Sequence, residues 1–186
     1  MPKTRSDTPR TEKIEALLDA ADQLFAERGF DGTSTARLAK AAGVSERTLY
    51  WYFPTKDHVL CAVLQRASDR IVDELREAGW PDLADPAGTL FAILQAMRKI
   101  RHLLPSFHQR AEVSDHVAAT RDRFRADNDR ALSFALRTAG VVETDLEPAI
   151  DIVLAFADGV LIRNIDGPEL EAAVITLVSR LAPETS

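Results

Sequence analysis

Side chains suited to contact an anion or a base edge are concentrated in one short segment, residues 45–56. Four aromatic residues stand side by side at 50–53, although the whole chain contains only 8 Phe, 2 Trp and 2 Tyr. Arg47 precedes them, and its guanidinium can donate to phosphate oxygens or base edges, while an aromatic ring can contact a thymine methyl group. Because successive helical residues are rotated by about 100°, four adjacent rings cannot all point into one core. At least one large ring is therefore expected to face outward.

The same rotation defines an inner side of this segment. If Ser45 caps a helix, Leu49 and Phe53 fall on the side of the cap, and we predict that both pack into a core. Tyr52 falls at the boundary, where its ring either packs inward or carries its hydroxyl to a phosphate at the rim.

The outer side of the segment carries polar and aromatic groups. Arg47, Tyr50 and Trp51 lie opposite the cap, and Thr48 lies at the edge of the same face. A short helix cannot bury this face while it buries the other, so these side chains are predicted to be exposed and available to a ligand.

Short signals on both sides of the turn place this segment in a helix-turn-helix. Hydroxyl groups at 33–35 offer N-caps for a short helix, Gly43 ends that helix, Ser45 caps the next one and Pro54 stops it. Residues 33–56 contain four basic residues and one acidic residue, against a net charge of −6 for the chain. Two short helices joined by a Gly-containing turn, the second of them basic, are typical of a helix-turn-helix over about 34–53.

Composition limits the remaining possibilities. The chain of 186 residues is 46% hydrophobic and 28% charged, which is ordinary for a globular protein. No apolar run approaches the roughly 20 residues of a membrane helix, and the polar start of the chain lacks a signal peptide's apolar segment. A single cysteine, Cys61, excludes an internal disulfide and fits a reducing cytoplasm. We therefore expect a cytoplasmic protein with no membrane partner.

Helical periodicity recurs along the rest of the chain, and strand-like alternation is absent, so the predicted fold is all-α. After a long fourth helix we expect one helix from Leu90 that breaks near Pro105, then helices over 124–140, 150–165 and 170–181. The last two carry apolar residues on two sides. They either lie centrally in the bundle or are covered by a second copy of the chain, and we favour the second copy.

The segment TSTARLAKAAGVSERTLYWYFPTKDHVL, residues 33–60, closely resembles the DNA-binding signature of the TetR family of transcriptional regulators. The preceding ERGFDGTS matches the end of the first helix of that family. The resemblance implies a flexible N-terminal arm at 1–10, a helix-turn-helix DNA-binding domain at 11–71, and a C-terminal helical bundle at 72–186 that binds an effector and dimerises.

The resemblance also assigns roles to residues of the signature. The residues expected to contact DNA are Thr35, Arg37, Ser45, Glu46, Arg47, Thr48, Tyr50, Trp51, Tyr52 and Lys56. Thr35, Tyr50, Tyr52 and Lys56 are expected at phosphates. Glu46 either accepts from cytosine N4 or stabilises the positive end of the helix dipole, and we favour the dipole.

Two further sets of residues follow from the expected C-terminal bundle. The expected dimer interface contains Ile152, Phe156, Gly159, Val174 and Val178. The expected effector pocket contains Phe91, Met97, Arg101, His102, Phe107, Phe124 and Asn128. A metal site that uses His102, His108, Glu112 and His116 is not expected, because Pro105 interrupts the series and no HExxH pair is present. We expect no cofactor.

The sequence thus predicts a ligand-responsive, sequence-specific regulator that binds double-stranded DNA as a homodimer. A repressor that leaves a palindromic operator when a small-molecule effector binds is the expected form. The alternative is a helical-bundle enzyme or carrier in which the aromatic run lines a site. The chain has no P-loop, GxSxG or zinc-ligand spacing, so we expect no enzymatic activity.

Overall fold

The computed structural model of the protein describes residues 10–79 and 84–181, and over these ranges the chain forms nine α-helices and no strand. The helices are α1 (Arg10–Arg28), α2 (Thr35–Ala41), α3 (Glu46–Tyr52), α4 (Lys56–Glu77), α5 (Pro86–Met97), α6 (Leu104–Ala111), α7 (Asp115–Thr138), α8 (Leu146–Arg163) and α9 (Gly167–Leu181). The all-α prediction is confirmed. None of these helices is long and apolar enough to cross a membrane. Residues 1–9 of the predicted arm lie outside the described ranges, and Arg10 belongs to α1.

The chain divides into two compact units that do not follow a single cut along the sequence. The first unit contains the chain up to Ala67 together with His102–Arg121. The second contains Ser68–Arg101 and the chain from Asp122 onward. The predicted boundary between residues 71 and 72 differs from this division, because α6 and the start of α7 belong to the unit that contains the helix-turn-helix.

Local signals in the sequence determine the ends of the first three helices. Gly29, with φ of 69°, follows the last residue of α1, and Gly43, with φ of 68°, makes the turn between α2 and α3. Both angles are in the left-handed region that glycine adopts without steric cost. The side chain of Ser34 accepts from the Arg37 amide at the start of α2, and that of Ser45 accepts from the Thr48 amide at the start of α3. These caps satisfy amide groups that have no partner within their own helix.

Polar contacts tie α6 and α7 to the first turn of α4 within the first unit. Arg110 on α6 donates from Nε to Oδ1 of Asp57 at 2.9 Å and from Nη2 to Oδ2 at 2.8 Å. The ring of His116 on α7 stacks on that of His58 on α4, with centroids 3.8 Å apart. A two-pronged contact of this kind between a guanidinium and a carboxylate fixes orientation as well as distance.

The prediction that a helix from Leu90 breaks near Pro105 is wrong. α5 ends at Met97 and a 3₁₀ turn follows at Arg98–Ile100. Pro105 lies in the first turn of α6, where its missing N–H would have no helical partner in any case. Proline therefore starts a helix at this point.

The second unit has its main core between α5, α8 and α9. The buried residues of this core are Leu90, Leu94, Val153, Val160, Leu170 and Val174. A smaller buried cluster joins the end of α7 to the start of α8 and contains Leu136, Val141, Leu146, Ala149 and Ile150. α7, at Asp115–Thr138, and α8, at Leu146–Arg163, begin earlier than the apolar spacing predicts.

Candidate nucleic-acid interface

Helix α3 is buried on one side and exposed on the other. Leu49 is 0% exposed and Phe53 is buried, as the rotation of the helix predicts. On the opposite side the ring of Trp51 is 69% exposed and that of Tyr50 is 47% exposed. A large indole that stays in water does not gain the free energy of burial. Exposed apolar surface of this kind is available to a binding partner.

The charged residues of α3 are exposed, and Arg47 shares the side of the helix that carries Trp51. Glu46 and Arg47 are both exposed. Arg47 and Trp51 are four residues apart and are therefore neighbours on one helical face. Thr48 is half-buried, and its hydroxyl lies 2.8 Å from that of Ser45, so these two side chains also form the start of the helix.

A second group of predicted contacts surrounds the start of α2. The hydroxyl of Thr35 lies 3.0 Å from that of Tyr50, which links α2 to α3. Arg37 is exposed and donates from Nη1 to the Gly32 carbonyl at 2.9 Å. The structure therefore brings Thr35 and Tyr50 together as one pair of hydroxyl groups at the edge of the exposed face.

Lys56 has structural contacts that its predicted role at a phosphate does not include. Its ammonium donates to the carbonyl oxygens of Phe30 at 2.7 Å and Thr33 at 3.0 Å. It also lies 4.0 Å from the centroid of the Phe30 ring. Burial lowers the pKa of Lys56 below its ordinary value, although the nearby carboxylates of Asp31 and Asp57 oppose the shift. Two of its three donors are thus used to hold the connection between α1 and α2.

The adjacent Asp57 supports this arrangement. Burial acts to raise the pKa of Asp57, but hydrogen bonds from Arg110 and Ser114 outweigh it and hold that pKa below the ordinary value. The same contact raises the pKa of the Arg110 guanidinium. Arg110 also lies 5.7 Å from the centroid of the Phe30 ring. The first turn of α4 is therefore fixed by groups from α6 and from the connection between α1 and α2.

Sequence reasoning missed Arg10 as a neighbour of this face. Its guanidinium carbon lies 5.4 Å from the centroid of the Trp51 ring. The two residues are far apart in sequence, and the helix-turn-helix signature does not include the first residue of α1. Only the three-dimensional arrangement reveals the contact.

The residues predicted for the effector pocket are distributed over both units. Phe91, Met97, Arg101, Phe124 and Asn128 belong to the second unit, and His102 and Phe107 belong to the first. Two of them have polar partners: Arg101 donates to the Asn164 side chain, and His102 Nε2 lies 2.9 Å from Asp22 Oδ1. Asn128 is exposed, and neither unit by itself contains the whole set.

The residues predicted for the dimer interface differ in exposure. Ile152 is 48% exposed, whereas Phe156, Gly159 and Val178 are half-buried. Val174 is 1% exposed and belongs to the core between α5, α8 and α9, and its place in the interface stays a prediction. The adjacent Ile175 points away from that core.

Within residues 10–79 and 84–181, no group of three or more His, Cys, Asp or Glu side chains is arranged to hold a metal ion. Two of the four residues considered above for a metal site contact other side chains. His116 stacks on His58, and Glu112 accepts from Arg121 at 3.1 Å.

The capped helix-turn-helix, together with the exposed face of its second helix, α3, defines a DNA-binding protein of the helix-turn-helix class. The sequence profile described as bacterial regulatory proteins, tetR family, matches residues 17–63. The repressor KstR2 of Rhodococcus jostii is 31% identical over 146 residues, which cover 75% of this chain and 71% of that protein. The activator FasR of Mycolicibacterium smegmatis is 40% identical over 70 residues, which are 38% of this chain and 32% of that protein.

A solved structure of a transcriptional regulator from Rhodococcus sp. Rha1 matches with a TM-score of 0.76 at 27% identity, over 90% of this chain and 95% of that chain. The chain belongs to the TetR family of transcriptional regulators. It is a regulator and not an enzyme, which excludes the alternative of a helical-bundle enzyme.

Proposed function

We propose that this chain is a ligand-responsive repressor that binds a near-palindromic operator as a homodimer, with α3 reading the major groove. The observation that carries the proposal is the exposed face of α3, where Arg47 and Trp51 lie side by side while Leu49 anchors the opposite face. A guanidinium can donate two hydrogen bonds to a guanine, and an indole can contact a thymine methyl group. The predicted domains, an arm at 1–10, a DNA-binding domain at 11–71 and a bundle at 72–186, remain part of the proposal.

The remaining predicted contacts are proposed to position the protein on the phosphate backbone. Thr35 and Tyr50 present a pair of hydroxyl groups at the start of α2, and Arg37 is exposed on the same helix. Such contacts fix register and orientation and carry no sequence information themselves. Lys56 would bind a phosphate with the donor that its contacts to Phe30 and Thr33 leave free.

Dimerisation through α8 and α9 is proposed on the basis of apolar side chains that the second unit leaves in water. Ile162 on α8 is 81% exposed and Ile175 on α9 is 53% exposed, and Ile152 is exposed as well. A second copy of the chain would cover these residues about a two-fold axis. Two recognition helices about 34–36 Å apart then read the two halves of a palindrome.

Release by a small-molecule effector completes the proposal. The effector would bind in the C-terminal region and favour a dimer in which the two α3 helices no longer match the operator. Affinity for DNA and affinity for the effector are then coupled reciprocally. The protein is proposed to act in the cytoplasm, where its buried Cys61 stays reduced.

Selection of DNA from a random duplex library tests this function. The purified full chain is incubated with the library at low salt, and bound duplexes are amplified and sequenced through several rounds. Enriched sequences are expected to share an inverted repeat, and sedimentation of the complex is expected to give an even number of chains. Failure to enrich any sequence over an unselected library contradicts the proposed function.

A further inference from the structure

Arg10 is placed over the aromatic rings at the end of the recognition helix. Its guanidinium carbon lies 5.4 Å from the centroid of the Trp51 ring and 5.9 Å from that of the Tyr52 ring. The two rings contact each other edge to face, with centroids 4.8 Å apart. Arg10 is exposed, and in the described part of the chain it has no ion pair with a carboxylate. Its charge is therefore not neutralised by a carboxylate among the described residues of the first unit.

The stacking determines what this guanidinium can bind. A guanidinium attracted to the face of an aromatic ring keeps its N–H groups in the plane of the guanidinium, where they remain available to an acceptor. Such a planar fork matches the oxygens of a phosphate. The ring contact also restricts the long side chain of Arg10 to one region of the surface, so less conformational freedom is lost when it binds.

The location of Arg10 relative to α3 indicates which phosphate its guanidinium would contact. Trp51 lies on the exposed face of α3 beside Arg47. Arg10 and Arg47 are therefore both neighbours of one exposed indole. When Trp51 enters or borders a groove, the nearest anion for Arg10 is the phosphate backbone at its edge.

We propose that Arg10 is a further DNA-contacting residue, which donates to a backbone phosphate beside the groove entered by α3 and holds the Trp51 ring in its reading position. The inference rests on the proposed function, and it assigns a role to α1 that the helix-turn-helix signature does not. The phosphate contact itself affects affinity for all sequences, and any effect of Arg10 on the choice of base comes through the position of Trp51.

Salt dependence of DNA binding tests the proposed contact. The probe is an operator duplex selected with the wild-type chain, and the variants are Arg10→Ala, Arg10→Lys and Arg123→Ala. Arg123 is an exposed arginine of α7 in the second unit, so its replacement removes the same charge elsewhere. Arg10→Ala is expected to weaken binding roughly 5- to 30-fold near 0.1 M salt and to lower the slope of log affinity against log salt by about one. Arg123→Ala is expected to change neither quantity.

The lysine variant and Trp51 fluorescence separate positioning from charge. Arg10→Lys keeps the charge and loses the planar fork, so we expect the wild-type salt slope with a lower affinity. In a Trp80→Phe background the fluorescence comes from Trp51 alone, and Arg10→Ala is expected to make it more accessible to acrylamide in the free protein.

Three outcomes would overturn the inference. One is wild-type affinity and salt slope for Arg10→Ala, and another is an equal loss in Arg10→Ala and Arg123→Ala, which would show a general charge effect. The third is that acrylamide quenching is the same with Arg10 and with alanine, which refutes the positioning of Trp51. If the wild-type chain selects no operator at all, the proposed function fails as well. If it selects one that Arg10→Ala binds equally well, this inference alone fails.

Discussion

Arg47 and Trp51 lie in water because Leu49, on the same helix of seven residues, is completely buried. A helix this short has no stability of its own in water and depends on its packing. The burial of one leucine therefore keeps the exposed face in place. Replacement of Leu49 by alanine would leave a cavity beneath the reading surface, whereas replacement of Trp51 would leave the core intact.

Acid is predicted to loosen the first turn of α4 through Asp57. The pKa of Asp57 is lowered in the folded chain, so its carboxylate contributes stability above its ordinary pKa of about 4, and that contribution is lost as the pH falls through the folded value. The free energy of unfolding in urea should therefore decrease more steeply between about pH 5 and pH 3 in the wild type than in Asp57→Asn.

The surface pair of Asp73 and Arg76 supplies the control, because both side chains are largely exposed although their atoms are 2.8 Å apart. Asp73→Asn should retain the acid sensitivity of the wild type, since exposed ion pairs contribute little. Identical pH dependence in the wild type and Asp57→Asn would show that the contact between Asp57 and Arg110 does not stabilise the fold.

Helix α3 depends on the hydroxyl group of Ser45, which caps its first turn. The Ser45 side chain accepts from the Thr48 amide at 3.1 Å. Ser45→Ala is expected to lower the free energy of unfolding by about 1 kcal/mol, and Ser45→Thr should retain most of the stability because threonine can also cap. Denaturant unfolding of the two variants measures the difference. Equal stability of the alanine and threonine variants would contradict a capping role.

Elements with local signals were predictable from the sequence, and contacts between distant residues were not. Gly43, Ser45 and the spacing of Leu49 act within one turn, so they place α2 and α3 correctly. Pro105 permits both the end and the start of a helix, and only packing decides between them. Arg10 and Arg110 act on residues far away in the chain, which no local pattern encodes.

The same distinction explains the dimer prediction. Apolar periodicity identified two apolar sides on α8 and α9, but it could not say which side faces the core of the same chain. Val174 and Ile175 are adjacent, and in the folded unit one is buried and the other is exposed. The assignment of Val174 to the interface stays a prediction, and its exposed neighbour Ile175 is the better placed of the two side chains to reach a second copy.

The oligomeric state of the whole molecule is predicted to depend on Ile175. Ile175→Arg places a charge on the exposed apolar side of α9 and should yield monomers, because the charge would have to be buried at the interface without a partner. Val142→Arg makes the same change at an exposed valine in the segment between α7 and α8. Analytical ultracentrifugation should show a dimer for Val142→Arg and for the wild type. A dimer that persists in Ile175→Arg would refute the proposed interface.

The affinity of wild-type and Arg47→Ala chains for a selected operator tests the account most directly. Both are titrated against the operator and a scrambled duplex at several salt concentrations. If Arg47 reads a guanine, Arg47→Ala should lose about 1–3 kcal/mol of specific binding free energy and bind the scrambled duplex almost as the wild type does. Unchanged operator affinity in Arg47→Ala, or equal losses on both duplexes, would contradict the claim that the exposed face of α3 reads DNA sequence.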